Sequence, residues 1–210
     1  MNGPTLDTTI RQAKPSDVAA ITVLLAATLD DDPVIQWLLP DPTERVTVLH
    51  RLLAVDVDHA IETGTVDVTL NLSAVAVWRR HDPDAPRWPL GDHHLTTFAG
   101  TAAHRLSQLN SAIDSYRSWA PHHWLSWLAV HPAYQRQGLA RELLRRYHQV
   151  VDGTGWPIYT IVTTAAARNM FRQQGYHAAL PLHLPSGPTL WPLNRRARPV
   201  RPTAVSCRYC

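Results

Sequence analysis

Trp127-Leu-Ala-Val-His-Pro-Ala-Tyr-Gln-Arg-Gln-Gly-Leu-Ala-Arg-Glu-Leu-Leu144 changes character twice within a short span. It opens as an apolar strand and breaks at Pro132. The polar loop Gln135-Arg136-Gln137-Gly138 then turns into a helix at about Leu139. A loop that feeds a helix start offers unpaired main-chain N–H groups and the positive end of the helix dipole. Gly138 lets a ligand approach the backbone, and the small Ala140 keeps the first helical turn clear. Such a turn suits an anion of pyrophosphate size.

Working outward, residues 8–13 read as a short first strand. Pro15-Ser16-Asp17 caps a helix with Val18, Ile21, Leu24, Leu25 and Leu29 at helical spacing. A second helix is expected over 42–62, with Val46, Leu49, Leu53, Val57 and Ile61 on one side and Gly64 closing it. Residues 65–70 and 73–78 are rich in Val, Leu and Thr and read as paired strands. Pro83, Pro86 and Pro89 make 81–91 a loop, and 96–117 reads as one or two helices. There follow a strand over 124–130, the helix 139–151, a strand over 158–163 and a helix over 165–174 that stops at Gly175. Residues 176–184 and 189–193 are expected as closing strands.

Composition narrows the class. A chain of 210 residues, 45% hydrophobic, can bury one full core, so residues 1–194 are expected to form a single domain. No apolar run is long enough for a membrane helix, and residues 1–7 lack the basic and apolar regions of a signal peptide. The two cysteines, Cys207 and Cys210, fit a reducing cytoplasm. They have half-zinc-site spacing, but no second cysteine pair completes four ligands, so no metal is expected. No Asp or Glu follows Asp152, whereas seven arginines do. Residues 195–210 therefore read as a basic, flexible tail interrupted by Pro199 and Pro202. An arm of this kind could also hold nucleic acid through phosphates.

Gln135-Arg136-Gln137-Gly138-Leu139-Ala140 resembles the [Gln/Arg]-x-x-Gly-x-[Gly/Ala] signature of the Gcn5-related N-acetyltransferases (GNAT), with the strand ending Leu128-Ala129-Val130-His131-Pro132 just where that family has its fourth strand. The resemblance covers residues 8–193. It implies an α/β (α+β) fold: a central mixed, mostly antiparallel sheet of about seven strands, splayed between the fourth and fifth and flanked by helices. Asp31 to Asp41 and Ala74 to Trp78 are similar to a subset that includes puromycin N-acetyltransferase.

The implied function is transfer of an acetyl group from acetyl-CoA, a cosubstrate, to the primary amine of a small molecule in a ternary complex. Leu128, Ala129 and Val130 would then pair with pantetheine through their main chain, with the Val130 N–H as oxyanion donor. Gln135, Arg136, Gln137, Gly138, Leu139 and Ala140 would hold the pyrophosphate, aided by Arg141 and Arg168. Asn169 resembles a family Asn just before the last helix. The resemblance makes the linker between the first two helices a wall of the acceptor site. Asp30, Asp31 and Asp32 are either an attraction for a cationic amine or a solvated turn that caps the helix at Pro33. Trp37 and Trp78 are candidates to line the pocket for an apolar acceptor.

The proton-transfer groups depart from the family pattern. The fourth strand carries no carboxylate, so His122 or His123 stands as a base acting through water, or as a packing side chain. Counting back four residues from Gly175-Tyr176, the family's acidic tyrosine is replaced by Phe171. That leaves Tyr159, Ser126 or water to protonate the thiolate. Two other classes remain open: a GNAT-fold sensor that binds CoA or a metabolite without transfer, and a basic nucleic-acid-binding protein. Exposed strand edges leave room for a homodimer.

Overall fold

A computed structural model describes residues 9–82, 102–116, 118 and 120–197. Its strands are β1 (Ile10–Gln12), β2 (Thr65–Thr69), β3 (Ala74–His81), β4 (His122–Val130), β5 (Ile158–Val162), β6 (His177–Ala178), β7 (Leu182–His183) and β8 (Thr189–Arg195). Its helices are α1 (Val18–Leu29), α2 (Pro33–Leu38), α3 (Pro42–Thr63), α4 (Ala103–Tyr116), α5 (Leu139–Thr154) and α6 (Ala165–Gln173), with short 3-10 turns at Pro15–Asp17 and Pro132–Tyr134.

The strands form an eight-stranded sheet in the order β1-β2-β3-β4-β5-β8-β6, with β7 also on β8. Neighbours run antiparallel except β4 and β5, which are parallel. This is the mixed, mostly antiparallel sheet expected from the sequence. One face packs Ile21, Leu25, Leu49, Leu53 and Val57 of α1 and α3 on Val66, Val75 and Val77. The opposite face packs Leu139, Leu143, Leu144 and Val151 of α5 on Ala76, Trp78, Leu125 and Ile158. Helices α2 and α3 start alike. Asp32 and Asp41 accept hydrogen bonds from the two N–H groups beyond Pro33 and Pro42, which occupy the one position where a missing N–H costs nothing.

Several boundaries differ from the sequence expectation. The expected single strand over 176–184 is two dipeptide strands, β6 and β7, because Pro181 has no N–H for a ladder. Val46, expected on the inner side of α3, is exposed, and Val48 is buried instead. The tail does not start at 195: Arg195 is the last residue of β8, buried, and paired with Asp152. Residues 198–210, with Cys207 and Cys210, and the expected loop from Pro83 onward lie outside the described residues. No described helix is long and apolar enough to cross a membrane.

Candidate active site

Parallel β4 and β5 are joined at only two register pairs, His123 with Ile158 and Trp124 with Tyr159. Beyond Trp124 they part, while β5 stays with β8 as far as Val162 and Trp191. The cause lies in β4. Val77 faces Trp127 but Trp78 faces Leu125, so Ser126 is the extra residue of a β-bulge, which bends the strand and steepens its twist. At the throat of the resulting V, the buried Thr160 hydroxyl donates to the Leu125 carbonyl at 3.0 Å, standing in for a ladder bond.

The ladder decides which main-chain groups face the V. The His131 N–H donates to the Ser73 carbonyl, so His131, Ala129 and Trp127 are the hydrogen-bonded partners of β3. Leu128 and Val130 alternate with them and turn their amides towards the V. Ala129, expected as a third partner for an added strand, instead has its main chain committed to β3.

The signature loop follows directly. Gln135 donates through Nε2 to the Val130 carbonyl at 3.1 Å, and Gln137 to the Ala133 carbonyl at 3.2 Å, so both side chains brace the loop. Arg136 (φ 60°) and Gly138 (φ 88°) are left-handed just ahead of α5, the kind of backbone that gathers main-chain amides around an anion. A Cβ on Gly138 would meet nothing within 4 Å, so the space above it is open. Leu139 is buried and anchors the first turn, whereas Arg141 is exposed. These features fit an anion held by backbone N–H groups. Asn169 is exposed on α6, and Arg168 lies over the Trp191 ring at 5.4 Å.

The structure separates the remaining candidates. His123 is buried, with Nδ1 3.0 Å from the Tyr147 hydroxyl and Nε2 3.2 Å from Thr154 Oγ1. Burial, helped by Arg80 and His122, lowers its pKa to about 4. Both ring nitrogens are engaged on the α5 side of the sheet, so His123 is a packing residue and not a base. Trp78 is likewise wrong for a pocket wall: it is 0% exposed and stacks on Tyr147 at 3.9 Å, beneath α5.

Tyr159 and Ser126 are half-buried on the opposite side. Tyr159 meets the edges of Tyr116 (5.7 Å) and His122 (5.0 Å). The Tyr116 phenol, overlooked in the sequence, is pushed up chiefly by burial. Trp37 is wedged against Gly187, with Arg105 donating to its carbonyl at 2.9 Å. Of the acidic trio, Asp30 pairs with Arg45, Asp31 is exposed, and Asp32 caps α2 while accepting from the Thr163 hydroxyl just past β5. Asp32 thus ties the α1–α2 turn to the strand that borders the V. Phe171 is buried edge-on to Tyr176 and has no proton to give.

A buried network also escaped the sequence reading. Asp56 of α3 accepts from Arg79 Nη2 at 2.8 Å and from Trp127 Nε1 at 2.6 Å. Arg79 in turn donates through Nε to Ser126 Oγ at 3.2 Å. The signal was present: Asp56 sits among Leu49, Leu53, Val57 and Ala60 on the inward stripe of α3.

Comparison with known proteins agrees with this geometry. The family model for the acetyltransferase (GNAT) domain matches residues 99–178. A structure of histone acetyltransferase HPA2 and related acetyltransferase from Corynebacterium glutamicum superposes with a TM-score of 0.69 at 21% identity, over 93% of this chain and 98% of that one. The Drosophila melanogaster polyamine N-acetyltransferase, which catalyses formation of N-acetylagmatine, gives 0.63 at 18%, over 90% and 99%. An agmatine N-acetyltransferase gives 0.62 at 16%, over 90% and 98%. No curated protein matches the sequence. The narrower likeness to the puromycin N-acetyltransferase subset is not specifically borne out. The chain thus shares the fold of these acetyltransferases over nearly its whole length, and its stretch across β4, the signature loop and α5 matches the GNAT acetyltransferase domain model.

Proposed function

We propose that the protein transfers an acetyl group from acetyl-CoA to the primary amine of a small molecule. The observation that carries this reading is the V between β4 and β5 opening beside the left-handed loop ahead of α5. In this reading, pantetheine adds to β4 as a short strand on the Leu128 and Val130 amides, with the Val130 N–H donating to the developing oxyanion. The pyrophosphate rests on the backbone from Arg136 to Ala140, and Arg141 adds a mobile cation. The acceptor enters from the α1–α2 side, where Asp31 is exposed and Asp32 fixes the wall.

Catalysis of this kind rests on holding two substrates in line and stabilising one oxygen. An amine must arrive neutral, attack the thioester carbon, and leave a thiol. Isothermal calorimetry with acetyl-CoA and with CoA tests the first half, and an amine screen read by thiol release tests the second. Micromolar binding with turnover of at least one amine supports transfer. Binding with no turnover would favour a sensor, and no binding by folded protein would remove both.

A further inference from the structure

We infer that Ser126 is the proton donor to the leaving thiolate, with Arg79 and Asp56 as its positioning residues. The inference rests on the acyl-transfer reading above and supplies the acid that Phe171 lacks. Ser126 stands two residues beyond Trp124, the last β4 residue paired with β5, and so lies at the throat of the V. As the extra residue of the bulge, it shares its side of the sheet with Arg79 instead of joining Leu125 under α5.

The hydrogen-bond directions carry the argument. The Arg79 Nε–H donates to Ser126 Oγ, so that bond uses a lone pair of the hydroxyl and not its proton. The serine proton is thereby left to donate. Arg79 cannot give up its own proton at neutral pH, so its direction of donation is fixed. Its Nη2 donates to both the Asp56 carbonyl (3.1 Å) and the carboxylate (2.8 Å), which holds the guanidinium plane. The other Asp56 oxygen takes the Trp127 indole N–H, pinning the second bulge residue. Asp56 is 2% exposed, so this scaffold is rigid and shielded from water.

The step balances without a further reactant. The amine nitrogen bonds to the thioester carbon, and the C–S bond breaks with its electron pair on sulfur. Ser126 gives its proton to sulfur and regains one from the nitrogen as the amide forms. The Arg79 cation beside Oγ stabilises the transient negative charge on the serine oxygen.

The test compares Ser126→Ala, Asp56→Asn and their double variant in steady-state turnover with the best amine found by the screen. Asn keeps the shape of Asp56 and an acceptor for one donor, so a folded protein is expected; a melting curve checks it. Ser126→Ala should lower kcat at least 30-fold with KM for acetyl-CoA within threefold, and Ser126→Cys should restore part of the rate. Asp56→Asn should lower kcat about tenfold, and the double variant should be no slower than Ser126→Ala alone. The pH–kcat profile of Asp56→Asn should also move, which a merely structural role would not produce. Ser126→Ala with kcat within threefold of the parent, or multiplicative losses in the double variant, would overturn the assignment and leave acyl transfer standing. A parent protein that binds acetyl-CoA but turns over no amine would overturn both.

Discussion

Arg195, at the end of β8, donates to both carboxylate oxygens of Asp152 in the last turn of α5, at 2.8 and 2.9 Å. This bidentate pair clips the final strand onto the helix that carries the signature loop. Arg195 is only 4% exposed, so a lost partner leaves a buried cation. Asp152→Ala should cost about 3 kcal/mol, read as a lower urea midpoint at unchanged slope.

Gly138 is a site where binding and stability separate. A Cβ there meets no atom within 4 Å, but a valine must adopt φ 88°, at a cost of about 1–2 kcal/mol. Its methyl groups occupy the open space assigned to the pyrophosphate. Gly138→Val should weaken CoA at least tenfold in calorimetry while a cooperative melt is kept. Unchanged affinity would remove the loop from the binding site.

Gly64 shows the opposite case. A Cβ there would lie 2.4 Å from the Trp78 carbonyl oxygen, a backbone atom that cannot swing away. Gly64→Ala should destabilise the fold by about 1–3 kcal/mol, with CoA affinity unaffected once the protein is folded. Denaturant titration beside calorimetry checks both halves.

His123 makes the fold sensitive to acid. Its pKa falls from 6.5 to about 4, first through burial and then through the nearby Arg80 and His122 charges. Above pH 6.5 neither folded nor unfolded chain binds this proton, so the stability is complete there. As pH falls towards 4, the unfolded chain takes the proton and the folded one does not. The loss should reach up to about 3 kcal/mol by the lower end of that window. His123→Gln should show a shallower fall in unfolding free energy between pH 7.5 and 4.5. Parallel falls in both proteins would assign the acid sensitivity elsewhere.

The sequence was most legible where structure is local. The loop ahead of Leu139 depends on a proline break, a glycine and a helix start within a few residues, so its geometry could be read directly. The longer helices followed from apolar spacing, while the Asp41-Pro42 start of α3 is seen only in the structure. What escaped depends on which face a strand presents. Trp78 and His123 looked like site residues because the strand that held them was known but its inner side was not. Asp56 stood in the open on the inward stripe of α3, but its partners lie on distant strands. A carboxylate on an apolar stripe gains meaning only when Arg79 and Trp127 are seen across from it. Val46 shows a smaller version, since the buried stripe through Leu49, Leu53 and Val57 runs on through Arg45 and Val48 and passes it by.

The bulge at Ser126 has an implication for how β4 came to be and how it should be edited. One inserted residue shifts the odd-even count of every position on its N-terminal side, while the bulge keeps each of them on its face of the sheet. Removing Ser126 would restore strict alternation. Trp127 would keep to the α3 side, Leu125 and His123 to the α5 side, and Trp124 and His122 to the face opposite α5, so the bulge is what accommodates the extra residue without turning the strand over. Any comparison of this strand with a relative that lacks the extra residue must therefore place a gap there. Without the gap, side chains that share a column in the alignment would sit on opposite faces of the sheet.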